Sequence, residues 1–191
     1  TAFVGRNDVG KSTVLEALDV FFNEGKGITK LDKEDINKQS FSEGNDTISI
    51  AVVFEELPAD LVIDSTNPTT LQEEFLLNRQ GKLEILKTYP NAGKEKVSVK
   101  AYHPSNPNCA ELLLKKQKEL QAIIKKESIP CDDEKKNSVM RKAIWTHYSA
   151  ELQLSDTEID VTKEDAKNIW DHLKNYMPLY SLFQSDRKNS D

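Results

Sequence analysis

Four residues near the start of the chain, Gly5, Gly10, Lys11 and Ser12, fit the spacing G-x-x-x-x-G-K-[ST] without a gap. Glycines let the backbone wrap closely around an anion and point several N–H groups toward it. A lysine and a hydroxyl directly after the second glycine supply a positive charge for terminal phosphates and a ligand for Mg²⁺. The spacing therefore predicts a loop that binds the phosphates of a nucleotide.

The segments on either side of this loop must hold it in place. Residues 1–4 are mostly apolar and predict the end of a buried strand, and residues 12–23 predict a helix. Strand, loop and helix in this order are what a phosphate loop requires, because the helix directs its positive end at the anion. The predicted apolar face of the helix comprises Val14, Leu15, Leu18, Phe21 and Phe22.

One continuous segment is predicted to contact the nucleotide. Within it, Lys11 is expected to neutralise the β and γ phosphates, and the Ser12 hydroxyl is expected to hold Mg²⁺. The predicted nucleotide-binding residues are Gly5, Arg6, Asn7, Asp8, Val9, Gly10, Lys11, Ser12 and Thr13.

Further along the chain, hydrophobic periodicity changes from strands to helices. The turn residues "PNAG" lie between two strand patterns and predict a β-hairpin. Beyond residue 110 we expect helices and no strand before residue 177, and then a short apolar run at 179–183. The predicted strands are 48–55, 82–89 and 96–103, and the predicted helices are 110–128, 134–152 and 163–177.

Composition narrows the class of protein. The 191 residues carry a net charge of −6, which argues against a uniformly basic surface for nucleic acid but allows a local patch. We find no apolar run long enough for a bilayer and no secretory signal, and we expect a cytoplasmic protein with Cys109 and Cys131 as free thiols. The chain does not begin with Met, so we expect its natural start to lie upstream.

The sequence around the loop, "GRNDVGKSTVLEALDVFF", resembles the Walker A region of ABC-type ATPases that act on DNA. These are the OLD, RecF-like and SMC-like families, and the OLD family is the most similar. The resemblance implies binding and hydrolysis of ATP with Mg²⁺, a homodimer of ATPase heads, and DNA or a partner protein as further partners. The matching residues are Asn7, Gly10, Lys11, Ser12, Leu15, Glu16, Ala17 and Leu18.

The order of elements after the loop is also similar to that of an ABC head. It implies an α/β P-loop NTPase head with an antiparallel β-subdomain and an inserted helical bundle. The implied domains are an ATPase lobe with the β-subdomain at 1–104, a helical insertion at 105–177, and a return strand with a glutamine-loop-like tail at 178–191. By this resemblance Gln184 would contact Mg²⁺ and have a catalytic role; the alternative is an ordinary polar residue at a strand end.

Several parts of an ABC ATPase have no counterpart in this sequence. "VVFEE" at 52–56 is the nearest match to a Walker B strand, but it comes too early in the order. By the resemblance, the Walker B strand, the signature helix and the switch histidine lie beyond Asp191. A P-loop GTPase or kinase, or a nucleotide-gated scaffold without turnover, remain alternatives.

The lysine-rich stretch "LKKQKELQAIIKK" permits two interpretations. It is either a surface that contacts the DNA backbone or the solvated face of an amphipathic helix, and we favour the second because glutamates alternate with the lysines. His103, His147 and His172 have no metal-ligand spacing with a cysteine, so we expect structural or surface roles for them.

Overall fold

A computed structural model describes residues 10–58, 63 and 68–183. Three short 3₁₀ turns accompany the regular elements of this part of the chain, at Lys33–Asp35, Leu112–Leu114 and Lys174–Tyr176. The α-helices are α1 (Lys11–Asn23), α2 (Lys38–Ser42), α3 (Gln117–Glu127), α4 (Asn137–His147) and α5 (Glu164–Leu173). The strands are β1 (Thr47–Phe54), β2 (Leu83–Pro90), β3 (Lys96–Pro104) and β4 (Leu154–Asp160).

The four strands form one sheet in the order β1-β2-β3-β4. The backbone N–H of Asn91, just after β2, donates to the carbonyl of Asp46, just before β1, over 2.9 Å. Near the other ends of these strands, Lys82 forms an ion pair with Glu55 over 2.6 Å. The end of one strand therefore lies beside the start of the other, and the two strands are antiparallel.

The hairpin predicted from "PNAG" is confirmed. The Gly93 N–H donates to the Pro90 carbonyl over 2.9 Å and closes the turn between β2 and β3. Asn91 and Ala92, the two central residues, both have positive φ angles, of 51° and 52°. Two central residues with positive φ match the right-handed twist of antiparallel strands, which is why short hairpins use such turns.

The three predicted strands are confirmed to within a residue or two, and helix α1 begins one residue earlier than predicted. The three later helices are confirmed as elements but are shorter. Helix α3, for example, begins where the Glu119 carboxylate accepts from the backbone N–H of Lys116 over 2.8 Å, and it ends at Ser128, whose φ is 53°. In the part of the chain that the structure describes, no helix combines the length and apolar character needed to cross a membrane.

The expectation of helices without a strand over 110–177 is wrong, because β4 lies in this range and pairs antiparallel with β3. Its sequence "LSDTEID" has few of the residues that favour strands. Pairing with β3 compensates for this low strand propensity. Lys100 lies opposite Glu158, and Ile159 packs beside Val99 in the core. The region predicted as an inserted helical bundle is therefore a mixed α/β region that completes the sheet.

The return strand implied within 178–191 is not formed over residues 178–183, which have no regular secondary structure, and residues 184–191 lie outside the described part of the chain. Leu179 is fully exposed, and Phe183 is 89% exposed. A strand requires a neighbouring strand for its backbone groups, and hydrophobicity alone does not supply one.

The chain divides into two compact units. Unit 1 comprises Thr1–Ile50, Thr88–Glu95 and Met177–Asp191, and unit 2 comprises Ala51–Lys87 and Lys96–Tyr176. In unit 2, alternate residues of β3 point into the core, as the period of a strand requires. Both tryptophans, Trp145 and Trp170, are buried in this core.

Candidate functional site

Helix α1 begins where the predicted phosphate loop ends. Gly10 is the residue before its first turn and has φ 78° and ψ 12°, a left-handed conformation that glycine adopts without steric cost. The first helical hydrogen bond runs from the Val14 N–H to the Gly10 carbonyl over 3.2 Å. The chain therefore turns sharply at Gly10 and presents the next three residues at the start of the helix.

The start of α1 is suited to an anion. Gly10 at the N-cap position has no side chain that could cap it, and the first turn contains no acidic residue. The first N–H groups of any helix lack acceptors within the helix, and the helix dipole adds a partial positive charge there. Ser12 and Thr13 are exposed, so an anion can approach from solvent. This end of the helix has the charge and the donors that a phosphate group requires, and Ser12 carries an oxygen of the kind that Mg²⁺ prefers.

The structure brings together part of the predicted site. Lys11, Ser12 and Thr13 occupy the first turn of α1, directly after Gly10. Gln184 lies outside the described residues, and so do Gly5, Arg6, Asn7, Asp8 and Val9. Their roles stay predictions.

At its other end, α1 is held by a buried carboxylate that the sequence analysis missed. Asp19 is 1% exposed and accepts hydrogen bonds from the Asn23 side-chain amide and from the Thr29 backbone N–H, each over 2.7 Å. A Cβ atom on Gly27 would lie 2.4 Å from a carboxylate oxygen of Asp19, so only glycine allows this approach. Asp19 thus ties α1 to the loop that follows it.

These contacts set the pKa of Asp19. Burial by itself raises the pKa, but hydrogen bonds from Thr29 and Asn23 outweigh it, and the pKa lies below its usual value. A carboxylate with a lowered pKa stabilises the fold above the unfolded-state pKa of about 3.9, and this contribution is lost as the pH falls through the native pKa.

We predict that Asp19→Asn lowers the free energy of unfolding by about 1–3 kcal/mol at neutral pH, the cost of weakening hydrogen bonds to a buried charged group. The difference between wild type and variant should shrink as the pH falls below about 3.9. Urea unfolding followed by far-UV circular dichroism at several pH values measures it. Asp32→Asn, an exposed carboxylate in the same unit, is the control. If the difference in free energy of unfolding between wild type and Asp19→Asn does not change with pH, the lowered pKa of Asp19 would be contradicted.

A second contact to α1 comes from the far end of the chain. The Tyr180 hydroxyl donates to the Leu15 carbonyl over 2.9 Å, and its ring stacks on Phe22 with centroids 5.9 Å apart. The Asn23 side-chain amide donates to the Tyr180 carbonyl over 3.3 Å. From sequence, residues 179–183 are an apolar run that the resemblance makes part of a return strand, and no spacing signal indicates these contacts.

The histidine and cysteine side chains singled out from the sequence are considered next. The His103 ring donates through Nδ1 to the Phe75 carbonyl over 2.9 Å, and burial lowers its pKa. Cys109 and Cys131 are free thiols, as predicted. Among the described residues, no group of three or more His, Cys, Asp or Glu side chains could hold a metal ion.

The lysine-rich stretch begins at the last residue of the 3₁₀ turn Leu112–Leu114 and continues through most of helix α3 in unit 2. Leu120 and Ile124 are buried beneath the helix. Lys118, Lys125 and Lys126 are exposed, and Lys126 pairs with Glu127 over 2.8 Å. Helix α3 is therefore amphipathic, with exposed lysines that both interpretations of the stretch require.

Comparison with protein families gives one match. The family model described as AAA ATPase domain matches residues 1–191, which is the whole chain. No curated protein and no solved structure matches it.

Proposed function

The chain belongs to the family of AAA ATPase domains, which implies binding and hydrolysis of ATP, and from this premise we propose that it is part of an ABC-type head of the OLD, RecF-like or SMC-like kind. Such a head binds ATP with Mg²⁺ and couples hydrolysis to a conformational change on DNA. We further propose that two heads form a homodimer that completes each nucleotide site. The division into a lobe at 1–104, an insertion at 105–177 and a tail at 178–191 belongs to this proposal.

The start of α1 is the observation that carries the proposal. A left-handed glycine, Gly10, precedes a helix whose first turn has no acidic side chain and begins with Lys11 and Ser12. Backbone N–H groups, an ammonium and a hydroxyl are therefore concentrated at one helix end, and they are complementary to a polyphosphate.

In the proposed mechanism the protein contributes position and charge rather than a covalent intermediate. Backbone N–H groups of residues 7–13 surround the phosphates, and Lys11 offsets the negative charge of the β and γ groups. The Ser12 oxygen would hold Mg²⁺, and a bound Mg²⁺ would supply positive charge to the phosphates. Gln184 is proposed as a second ligand near the attacking water.

Nucleotide competition tests two parts of the proposal: that the nucleotide is ATP, and that Ser12 is a ligand of Mg²⁺. We expect ATP to displace a bound fluorescent nucleotide at lower concentration than GTP, and Mg²⁺ to tighten ATP binding. Ser12→Ala should remove most of the Mg²⁺ effect, because it deletes the proposed ligand. Ser49→Ala, which changes an exposed serine on β1, should keep it. Tighter binding of GTP would favour a GTPase instead.

A DNA titration tests the rest of the proposal. In the full natural protein, we expect DNA to raise the rate of ATP turnover, since the proposed conformational change takes place on DNA. ATP binding without turnover, with and without DNA, would favour the nucleotide-gated scaffold. Turnover that DNA leaves unchanged would contradict the DNA-processing role while keeping the ATPase.

A further inference from the structure

Among residues 178–183, Tyr180 is in contact with α1. Tyr180 contacts the helix three times: through its hydroxyl on Leu15, through its ring on Phe22 and through its carbonyl, which accepts from Asn23. These contacts all lie within unit 1. They cover two turns of α1, so they fix both the position and the direction of the segment.

The neighbours of Tyr180 add little to this attachment. Leu179 is 103% exposed and Phe183 is 89% exposed, so neither large apolar side chain is packed against the protein. Burial of such side chains usually supplies most of the free energy that holds a segment in place. Leu182 is partly buried, and Tyr180 makes the hydrogen bonds that join this segment to α1.

The attachment point is close to the proposed phosphate site along the same helix. Leu15 is four residues after Lys11 in α1, which is a rise of about 6 Å at 1.5 Å per residue. A helix moves largely as a rigid element over this length. Any shift of the first turn when phosphate binds would therefore reach the Leu15 carbonyl, which accepts from the Tyr180 hydroxyl.

We propose that Tyr180 is a positioning residue that transmits occupancy of the phosphate site on α1 to residues 178–183, and that it sets the rate of ATP turnover rather than the affinity for ATP. This inference rests on the proposed function. Tyr180 touches neither the phosphates nor the metal ion in this account; it acts through α1.

The test compares Tyr180→Phe with Tyr176→Phe in the full natural protein. The first variant keeps the aromatic ring on Phe22 and deletes only the hydroxyl that donates to Leu15. The second deletes the same atom from a tyrosine that is 58% exposed. Each variant is measured for ATP affinity, for kcat, and for hydrogen exchange in residues 178–183 with and without ATP.

For Tyr180→Phe we expect kcat to fall about three- to ten-fold, the range that the loss of one neutral hydrogen bond can produce, with ATP affinity unchanged within about two-fold. In wild type and in Tyr176→Phe, ATP should slow hydrogen exchange in 178–183, and Tyr180→Phe should lose this response. A merely structural contact would lower thermal stability without separating kcat from affinity.

Unchanged kcat and an unchanged exchange response in Tyr180→Phe would overturn the inference, and so would a parallel loss of kcat and affinity. If wild type binds and hydrolyses ATP, these outcomes leave the proposed function intact. If wild type binds no ATP, the proposed function and the inference fail together.

Discussion

Replacing Lys11 by alanine is expected to weaken ATP binding by about 10- to 100-fold, because it removes a charge-assisted contact to phosphate worth about 1.5–3 kcal/mol. Lys11 is the first residue of α1. Alanine is the strongest helix former, so the helix should persist in the variant. The loss should therefore appear in nucleotide binding and not in helical content.

Calorimetric titration with ATP and Mg²⁺ measures this prediction, and Lys26→Ala is the matched control. Lys26 follows α1 in the same unit, and its side chain is 85% exposed. Both variants remove one positive charge from unit 1, so a general electrostatic effect would weaken binding equally in both. Equal affinities for Lys11→Ala and wild type would remove the basis of the proposed phosphate site.

The proposed phosphate site could be inferred from sequence because its parts are adjacent. Gly10, Lys11 and Ser12 are consecutive, and the helix that orients them follows at once. Local spacing and local helical periodicity are therefore sufficient. The contacts of Tyr180 were not predictable in this way, since Leu15 is 165 positions away along the chain.

The fold shows the same division between local and distant causes. Strands β2 and β3 could be predicted because a turn joins them directly and their apolar residues alternate. Strand β4 could not be predicted, because it is stabilised by pairing with β3, which is distant in sequence. Tyr102 and its partner Asp156, for example, are 54 positions apart. In sequence, "LSDTEID" is typical of a solvated loop.

Only part of the predicted apolar face of α1 is buried. Phe21 is 1% exposed, whereas Val14 is 44% exposed. Periodicity shows which residues share a side of a helix. It does not show which part of that side another element covers, because the covering residues come from elsewhere in the chain.

Buried charge was the other feature that sequence could not show. Arg141 of α4 is 1% exposed and donates to Glu74 through Nε over 2.8 Å and through Nη2 over 2.7 Å. Its Nη1 donates to Asp165 at the start of α5. Burial alone would lower the pKa of Arg141, but Glu74 and then Asp165 raise it. The partners are 67 and 24 positions away, so in sequence Arg141 is indistinguishable from a solvated helix residue.

Arg141→Met is expected to lower the free energy of unfolding of unit 2 by about 3–5 kcal/mol, because it leaves the Glu74 carboxylate buried without its partner. The next residue provides the control. Lys142 pairs with Glu73 over 2.9 Å, but the two side chains are 68% and 41% exposed. Lys142→Met should therefore cost less than about 1 kcal/mol, as exposed ion pairs usually do.

Urea unfolding followed by tryptophan fluorescence measures both variants, since both tryptophans of the chain, Trp145 and Trp170, lie in unit 2 with Arg141. A double variant, Arg141→Met with Glu74→Leu, separates two causes. If the buried unpaired carboxylate is what destabilises Arg141→Met, the double variant should be more stable than that single variant. If lost packing is the cause instead, removing Glu74 should destabilise further, and the ionic account of this core would be wrong.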